Sequence, residues 1–358
     1  MLKKISNLTK LVTEQMAIDL GTSRTIIAVK DKGIVLDEPS LVAVNEITNE
    51  IIAYGSEAAE MAGREGRDLV VRAPLIGGVV ADFERTKQML SFFVKKAKSG
   101  GSNLTISAVI SMPSDVTHVE QRALQNAADD AGIRKVFMME EGLAAAFGAG
   151  INPTDKKASA IVDIGAGTTS VSIVARGSLV HSANERFGSN EINSQIATHL
   201  RRHRGLQVGE ETTETLKTTF VSAYLPEDIS QTIEVRGRDV ETGSPSAVEI
   251  TAGELYPVVE NVVRRVAILV KDTLTELRPE VAADIYDRGV ILTGGGALLK
   301  GLDQYLRSYI NLAVTVAEEP QYATVMGLVK MFDNPELLER VSKNELSVLQ
   351  NAEIPFEA

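Results

Sequence analysis

The chain has 358 residues and a formal net charge of -11, and it contains no cysteine. That length gives room for two or three domain-sized units, while the acidic balance argues against a protein that holds nucleic acid by neutralising its phosphates. The missing thiols exclude disulfides, zinc-thiolate sites, iron-sulfur clusters and cysteine catalysis, and no stretch approaches the ~20 apolar residues of a membrane-spanning helix.

In chain order, residues 1–15 come first, with an apolar helical stripe of Met1, Leu2, Ile5, Leu8, Leu11 and Val12 and with Lys3, Lys4 and Lys10 mainly off it. The segment lacks the apolar core and cleavage site of a signal peptide, so a cytoplasmic protein is expected. The stripe suits a cationic amphipathic helix lying in a membrane interface, or equally a leader docked on its own protein. At Asp19 an apolar run ends in DLGTSRTIIAVKDKG, where Gly21 follows by two positions, Thr25 heads a β-branched strand and Gly33 closes it. A carboxylate at a strand end beside a Gly-rich turn offers a ligand for Mg²⁺-bound water next to backbone N–H groups that phosphate can approach closely.

IVLDEPSLVAVN and IIAYG read as strands and SEAAEMAGREG as a short helix, a small α/β insertion ending near Gly77 and Gly78. The fold resumes with a helix from about Phe83 to Ala97, a turn at Gly100 and Gly101, and a strand over Thr105–Met112. Thr117 and Glu120 form a capping-box pattern ahead of HVEQRALQNAADDAG, a helix that Gly132 stops. The strand KVFMM and the helix EEGLAAAFGAG follow, and this alternation predicts a mostly parallel sheet with covering helices.

The opening motif returns at Asp163 as DIGAGTTSVSIVARG, with Gly165, Thr169 and Gly177 at the offsets of Gly21, Thr25 and Gly33. One such hairpin is weakly diagnostic. Repetition at equal spacing predicts two halves of like fold, with a polyphosphate held between their turns. From about Arg186 to Val248 a polar stretch carries helices at EINSQIATHLRRHRG and EETTETLKTTFVSAY and a strand pair around TIEVRGRDVETGSPSAVEI, a second subdomain. Thr251 and Glu254 cap a helix in which Leu255, Val258, Val259, Val262, Val263, Val266 and Val270 follow helical spacing, with a start or kink expected at Pro257. RGVILTG is a strand running into Gly294, Gly295 and Gly296 and the helix ALLKGLDQYLRSYI, and residues 334–358 form an amphipathic tail.

Together, DLGT at Asp19, DIGAGTT at Asp163 and LTGGGALLKGL at Leu292 resemble the two phosphate motifs and the adenosine motif of the actin, sugar-kinase and heat-shock-chaperone ATPase superfamily. Within it, GIVLDEPSLVAV at Gly33, GVVADFE at Gly78, EEGLAAAFGAG at Glu140, GEETTETLK at Gly209 and VRGRDVETGSP at Val235 make the chain most similar to the bacterial actin MreB family, over about Ala17 to Gly327. The resemblance implies an α/β, actin-like two-lobed fold with a duplicated mixed β-sheet core, flanking helices and two small inserted subdomains. The first lobe core would take residues 16–34, 76–150 and 320–333, with a small subdomain at 35–75. The second would take 151–186 and 250–319, with a small subdomain at 187–249.

The same resemblance implies ATP or ADP with Mg²⁺ in the cleft, Asp19 and Asp163 orienting the ion through its waters. Thr22, Ser23, Gly165, Gly167 and Thr168 would surround the phosphates, with Gly21, Arg24, Ala166 and Gly188 completing the cofactor set. Glu214 and Lys217 would line the adenosine pocket, with Gly294, Gly295, Gly296 and Ala297 letting the nucleotide approach the backbone. Glu141 would position the attacking water, with Thr168 as its helper.

Four positions depart from the family's pattern. Gly142 stands where Pro is usual, which predicts a looser backbone at Glu141, and Arg24 replaces an Asn, which should tighten phosphate binding. Ala166 replaces the middle Gly of the second turn, and Asn190 replaces an Asp. The family's membrane loop is only half apolar here, at Leu104 and Thr105, and the N-terminal stripe is the expected compensation. Phe92 and Phe93 read as core, and the i,i+4 pair His199 and His203, among Arg201, Arg202 and Arg204, reads as a solvated basic patch rather than a zinc site.

The leading expectation is a slow ATPase of the cytoskeleton. It would polymerise head to tail, in single or paired protofilaments, at the inner face of the cell membrane, and govern cell shape or wall synthesis together with proteins of that machinery. A related filament that positions DNA or an organelle is the nearest alternative. A chaperone-type ATPase would need a substrate-binding domain, and a small-molecule kinase a poised base.

Overall fold

The computed structural model describes residues 13–98 and 105–342; the N-terminal stripe up to Val12, the Gly100–Gly101 turn, Leu104 and the tail beyond Ser342 lie outside the described residues. The motif at Asp19 forms β1 (Thr13–Leu20) and β2 (Arg24–Val29), and β3 (Gly33–Pro39) extends the antiparallel meander. A small sheet follows, of β4 (Val42–Asn45), β5 (Ile51–Tyr54) and β6 (Leu69–Arg72), with α1 (Ser56–Met61) between the last two. The short hairpin β7 (Leu75–Ile76) and β8 (Val79–Val80) leads to α2 (Phe83–Ala97), β9 (Thr105–Met112), α3 (His118–Asp130), β10 (Ile133–Glu140) and α4 (Glu141–Gly148). β9 runs parallel to β1 and β10 parallel to β9, which gives the strand order β3-β2-β1-β9-β10.

The second copy of the motif repeats this plan. β11 (Ser159–Ile164), β12 (Thr169–Ala175) and β13 (Ser178–Glu185) are followed by α5 (Asn190–Arg204), β14 (Leu206–Gln207), α6 (Glu210–Thr219), β15 (Thr232–Asp239) and β16 (Pro245–Thr251). Then come α7 (Ala252–Thr275), α8 (Pro279–Arg288), β17 (Val290–Thr293), a 3₁₀ turn at Gly295–Leu298, α9 (Leu302–Ile310), β18 (Val314–Val316), α10 (Ala323–Met331) and α11 (Pro335–Ser342). The strand order is β13-β12-β11-β17-β18, with β17 and β18 added in parallel as β9 and β10 are in the first sheet. Sequence duplication is thus duplication of topology.

The described residues form two compact units, one of residues 13–98, 105–158, 172–184 and 322–342 and the other of 159–171 and 185–321. In the first, Met16, Ile18, Ile27, Met89, Leu90, Phe93 and Ile110 are fully buried around β1, which is covered on both faces. In the second, the α7 stripe of Leu255, Val259, Val262, Val263, Val266 and Val270 is buried, each side chain contributing on the order of 1.5–3 kcal/mol.

Several local expectations hold. Thr117 Oγ1 accepts from Glu120 N–H at 3.2 Å while Glu120 Oε2 accepts from Thr117 N–H at 2.8 Å, closing the capping box. Others are corrected. Helix α7 starts at its Thr251 cap and continues through Pro257, so the proline is not the start. The expected helix after the triple glycine is instead a 3₁₀ turn that stops at Leu298 and a separate helix α9 that starts after Gly301, whose φ of +75° caps it. Helix α6 stops at Thr219, short of Tyr224. Phe93 is core, but Phe92 is 37% exposed and stacks on Tyr54 at 4.5 Å. Among the described residues no helix is long and apolar enough to cross a membrane.

Candidate functional site

In the first unit, Gly21 N–H donates to the Arg24 carbonyl at 3.0 Å and closes a tight turn with Thr22 and Ser23 at its tip. A Cβ on Gly21 would stand 2.9 Å from that carbonyl oxygen, so glycine is what the turn admits. Ser40 braces the turn: its Oγ donates to the Gly21 carbonyl at 2.7 Å and pairs with Thr25 Oγ1 at 2.9 Å. Thr22 Oγ1 accepts from Gly78 N–H at 2.8 Å, tying the turn to the β7–β8 hairpin. Asp19, near the end of β1, accepts from Ser111 Oγ at 2.7 Å. Parallel pairing of Ile18 with Ile110 brings that serine alongside. Burial pushes the Asp19 carboxyl up to about 6, opposed by the Ser111 hydrogen bond.

The second unit repeats each part. Gly165 N–H donates to the Thr168 carbonyl at 2.9 Å, with Ala166 and Gly167 at the tip. Asp163 lies opposite Thr293 on β17 and accepts from its Oγ1 at 3.2 Å. Thr169, the counterpart of Thr25, donates to the Phe187 carbonyl at 2.8 Å. The carbonyls of Gly165 and Ala166 accept from Ser189 N–H and Asn190 N–H at 2.9 and 3.0 Å, which pins the start of α5 to the turn. Gly188 permits this approach, since its Cβ would lie 2.5 Å from the Gly165 oxygen and 2.6 Å from the Ala166 oxygen.

The triple glycine divides by role. Gly294 has φ +79°, and a Cβ there would stand 2.5 Å from Asp163 Oδ1; a Cβ on Gly296 would overlap the Ile164 side chain. Both are required by packing on the end of β11. Gly295 alone of the three has open space within 4 Å, and Ala297 is buried. Glu214 and Lys217 form an ion pair at 2.6 Å, and Asn193 Nδ2 donates to the same Glu214 oxygen at 2.7 Å. Ser111, Thr293 and Asn193 were not singled out by the sequence, because each acts on a residue far along the chain. The retrievable signal was a hydroxyl at the end of the strand beside each aspartate strand.

Two departures acquire physical causes. Arg24 is held by Asp37, with Nε to Oδ1 at 2.5 Å and Nη2 to the carbonyl at 3.0 Å, and Tyr322 OH donates to Asp37 Oδ2 at 3.1 Å. Its charge is therefore committed within the first unit. Gly142 is buried, and a Cβ there would overlap Ser172 Oγ, so the position is closed by packing rather than loose. Glu141 opens α4, whose other end is backed closely by α10. A Cβ on Gly148 would overlap the Ala323 carbonyl, one on Gly327 the Ala144 carbonyl, and Lys330 Nζ donates to the Phe147 carbonyl at 2.7 Å.

Arg201, Arg202, His203 and Arg204 are exposed as the solvated patch requires, while His199 is half-buried against Glu254. It meets Glu254 Oε1 at 2.8 Å, as does Arg204 Nε, and these partners, Arg204 first, pull the Glu254 carboxyl down to about 2. Among the described residues no group of three His, Cys, Asp or Glu side chains is placed to cage a metal. A carboxylate steadied by a hydroxyl, as Asp19 is in one unit and Asp163 in the other, has the chemistry of a ligand for Mg²⁺, which keeps much of its water shell and needs few protein ligands.

Two Asp-bearing turns on two sheets of the same strand order define an actin-like protein. The crystal structure of MreB5 of Spiroplasma citri bound to AMPPNP matches with a TM-score of 0.85 and 30% identity, covering 94% of this chain and 99% of that one. The MamK double helical filament shares the fold at a TM-score of 0.75 and 22% identity, over 90% of this chain and 99% of that one. In sequence, the cell shape-determining protein Mbl of Bacillus subtilis (strain 168) is 36% identical over 337 residues, 94% of this chain and 100% of that protein. The cell shape-determining protein MreB of Escherichia coli (strain K12) is 37% identical over 332 residues, 91% of this chain and 94% of that protein. Residues 13–340 match the sequence family described as MreB/Mbl protein. The chain belongs to the MreB/Mbl family of bacterial actins.

Proposed function

We propose that this protein is a cell shape-determining bacterial actin that binds ATP or ADP with Mg²⁺, assembles head to tail into filaments and hydrolyses ATP slowly at the inner face of the cell membrane. The observation that carries the reading is the paired construction of the two turns, each with an aspartate steadied by a hydroxyl from the neighbouring parallel strand. The relatives' names supply the cell-shape role, and the AMPPNP and ADP bound by the Spiroplasma structures support the nucleotide.

Asp19 and Asp163 would hold the ion through its waters, and when bound it neutralises phosphate charge. The backbone N–H groups of the two turns supply phosphate donors, and Glu214 and Lys217 take the adenosine end. Glu141 and Thr168 orient the attacking water. Glu141 sits at the head of α4, a short helix braced by α10, and that suits a residue whose role is positioning. Arg24 is engaged by Asp37 and adds nothing to the phosphate turn in this state.

Filaments multiply weak contacts. An amphipathic segment within residues 1–12 that barely holds one subunit on a membrane would hold a row of them through avidity, and wall-synthesis or shape proteins would then follow the filament. The test is electron microscopy and pelleting with and without Mg-ATP, on and off anionic lipid vesicles. The reading expects ATP-dependent polymer that coats vesicles, and polymer free of vesicles after removal of residues 1–12. Protein that stays monomeric at tens of micromolar with Mg-ATP contradicts it.

A further inference from the structure

The second unit holds a three-residue arrangement whose central member no motif points to. Asn193, on α5, is 6% exposed. Its Nδ2 donates to Glu214 Oε2 at 2.7 Å, while its Oδ1 is buried with no hydrogen-bond partner. Lys217 Nζ donates to the same Glu214 oxygen at 2.6 Å. Two donors therefore converge on Oε2, and among the described residues no hydrogen bond engages Oε1, although the Glu214 side chain is 48% exposed. The Lys217 side chain, at 10% exposure, is mostly buried with that carboxylate as its partner.

The orientation of the amide explains the unpaired oxygen. Turned the other way, Asn193 would set its carbonyl against a carboxylate and lose the hydrogen bond its amide makes to Glu214. Buried polar groups are normally satisfied, so an unpaired Oδ1 is tolerated here in return for a fixed Glu214. The result is a rigid acceptor, Oε1, beside an ammonium with donors to spare. An acceptor next to a donor complements a vicinal diol, each of whose hydroxyls both gives and takes a hydrogen bond. A nucleotide carries one such diol, on the ribose.

We infer that Asn193 is a positioning residue for ribose recognition: by holding Glu214 it makes the site discriminate ribonucleotides from 2′-deoxyribonucleotides. The inference rests on the proposed nucleotide-binding function and adds to it the sugar specificity and the residue that sets it.

The experiment measures affinities for Mg-ATP and Mg-2′-deoxy-ATP on the full chain, for wild type, N193D, N193A and N193D/E214Q, with thermal midpoints to show that each variant is folded. N193D is isosteric but removes the donor and faces Glu214 with a like charge. N193A removes the amide without adding charge. The double variant restores a hydrogen bond of reversed polarity. A lost hydrogen bond to a charged group corresponds to about tenfold in affinity. Expected are a wild-type preference for ATP of about that size, a loss of preference in both single variants through weaker ATP binding, and recovery of at least half of it, on a logarithmic scale, in the double variant. A wild type that binds ATP while N193D or N193A keeps the wild-type ATP to 2′-deoxy-ATP ratio overturns the inference and leaves the nucleotide reading standing. Equal weakening for both nucleotides without recovery in the double variant also overturns it, because that is the signature of a purely structural residue. A wild type that binds neither nucleotide overturns the nucleotide reading and this inference together.

Discussion

Replacing Gly142 by alanine tests whether Ser172, rather than backbone looseness, defines the position of Glu141. The added Cβ would overlap Ser172 Oγ and stand 2.6 Å from Ser172 Cβ, where carbon atoms make contact at about 3.5–4.0 Å. The overlap is about 1 Å, in a region where both residues are buried. Overpacking of this kind costs about 1–3 kcal/mol, and alanine's better helix propensity returns up to about 1 kcal/mol, so G142A should lose about 1–2 kcal/mol. S172G alone should lose about 0.5–1 kcal/mol as a glycine within a strand. In the double variant the clash is gone and the helix gain remains, so a coupling of at least about 1 kcal/mol is expected. Urea unfolding of the four proteins measures the cycle, and phosphate release under single-turnover conditions reports the effect on Glu141. A displacement near 1 Å should slow hydrolysis by on the order of a hundredfold in G142A, with recovery in the double variant. Additive stabilities, or a G142A protein as stable and active as wild type, would refute the reasoning.

Other outcomes follow from the same structure. The Asp19 carboxyl has its pKa raised from 3.8 to about 6, so its contribution to stability is full below about 3.8 and is lost as pH rises through about 6. In Mg²⁺-free buffer, D19N should therefore be more stable than wild type by roughly 2–3 kcal/mol near neutral pH, and the difference should vanish in acid; a pH series of thermal midpoints checks this. D37A frees Arg24 beside the first turn, so ATP affinity should rise about fivefold at low salt and fall back at high salt; unchanged affinity would mean that Arg24 points away from the ligand even when released. G327A places a methyl group on the Ala144 carbonyl of α4, where backbone cannot yield easily, and it should cost about 3 kcal/mol or more, read from expression yield and unfolding midpoint.

The duplicated turns were legible because their chemistry is local: Asp, Gly, Thr and Gly at fixed offsets specify a strand, a tight turn closed by Gly N–H, and a second strand. The capping box at Thr117 and the cap at Thr251 were legible for the same reason. The partners of the aspartates were not. Ser111 stands 92 residues from Asp19 and Thr293 130 residues from Asp163, and only the parallel pairing of strands brings them together. The grip of Asp37 on Arg24 and the fit of Ser172 against Gly142 likewise depend on register and packing, which no spacing along the chain displays. The break at Gly301 had a local sign, a glycine within a helical pattern, but the apolar spacing of ALLKGLDQYLRSYI outweighed it.

Titration calorimetry of the full chain with ATP, with and without Mg²⁺, addresses most directly whether the aspartate of each turn takes part in Mg-nucleotide binding. The account predicts one ATP per chain, Mg²⁺-dependent binding, loss of the Mg²⁺-dependent part in D19N and in D163N alike, and no further loss when the two are combined. Two independent sites, or Mg²⁺-dependent binding that survives either substitution, would contradict it.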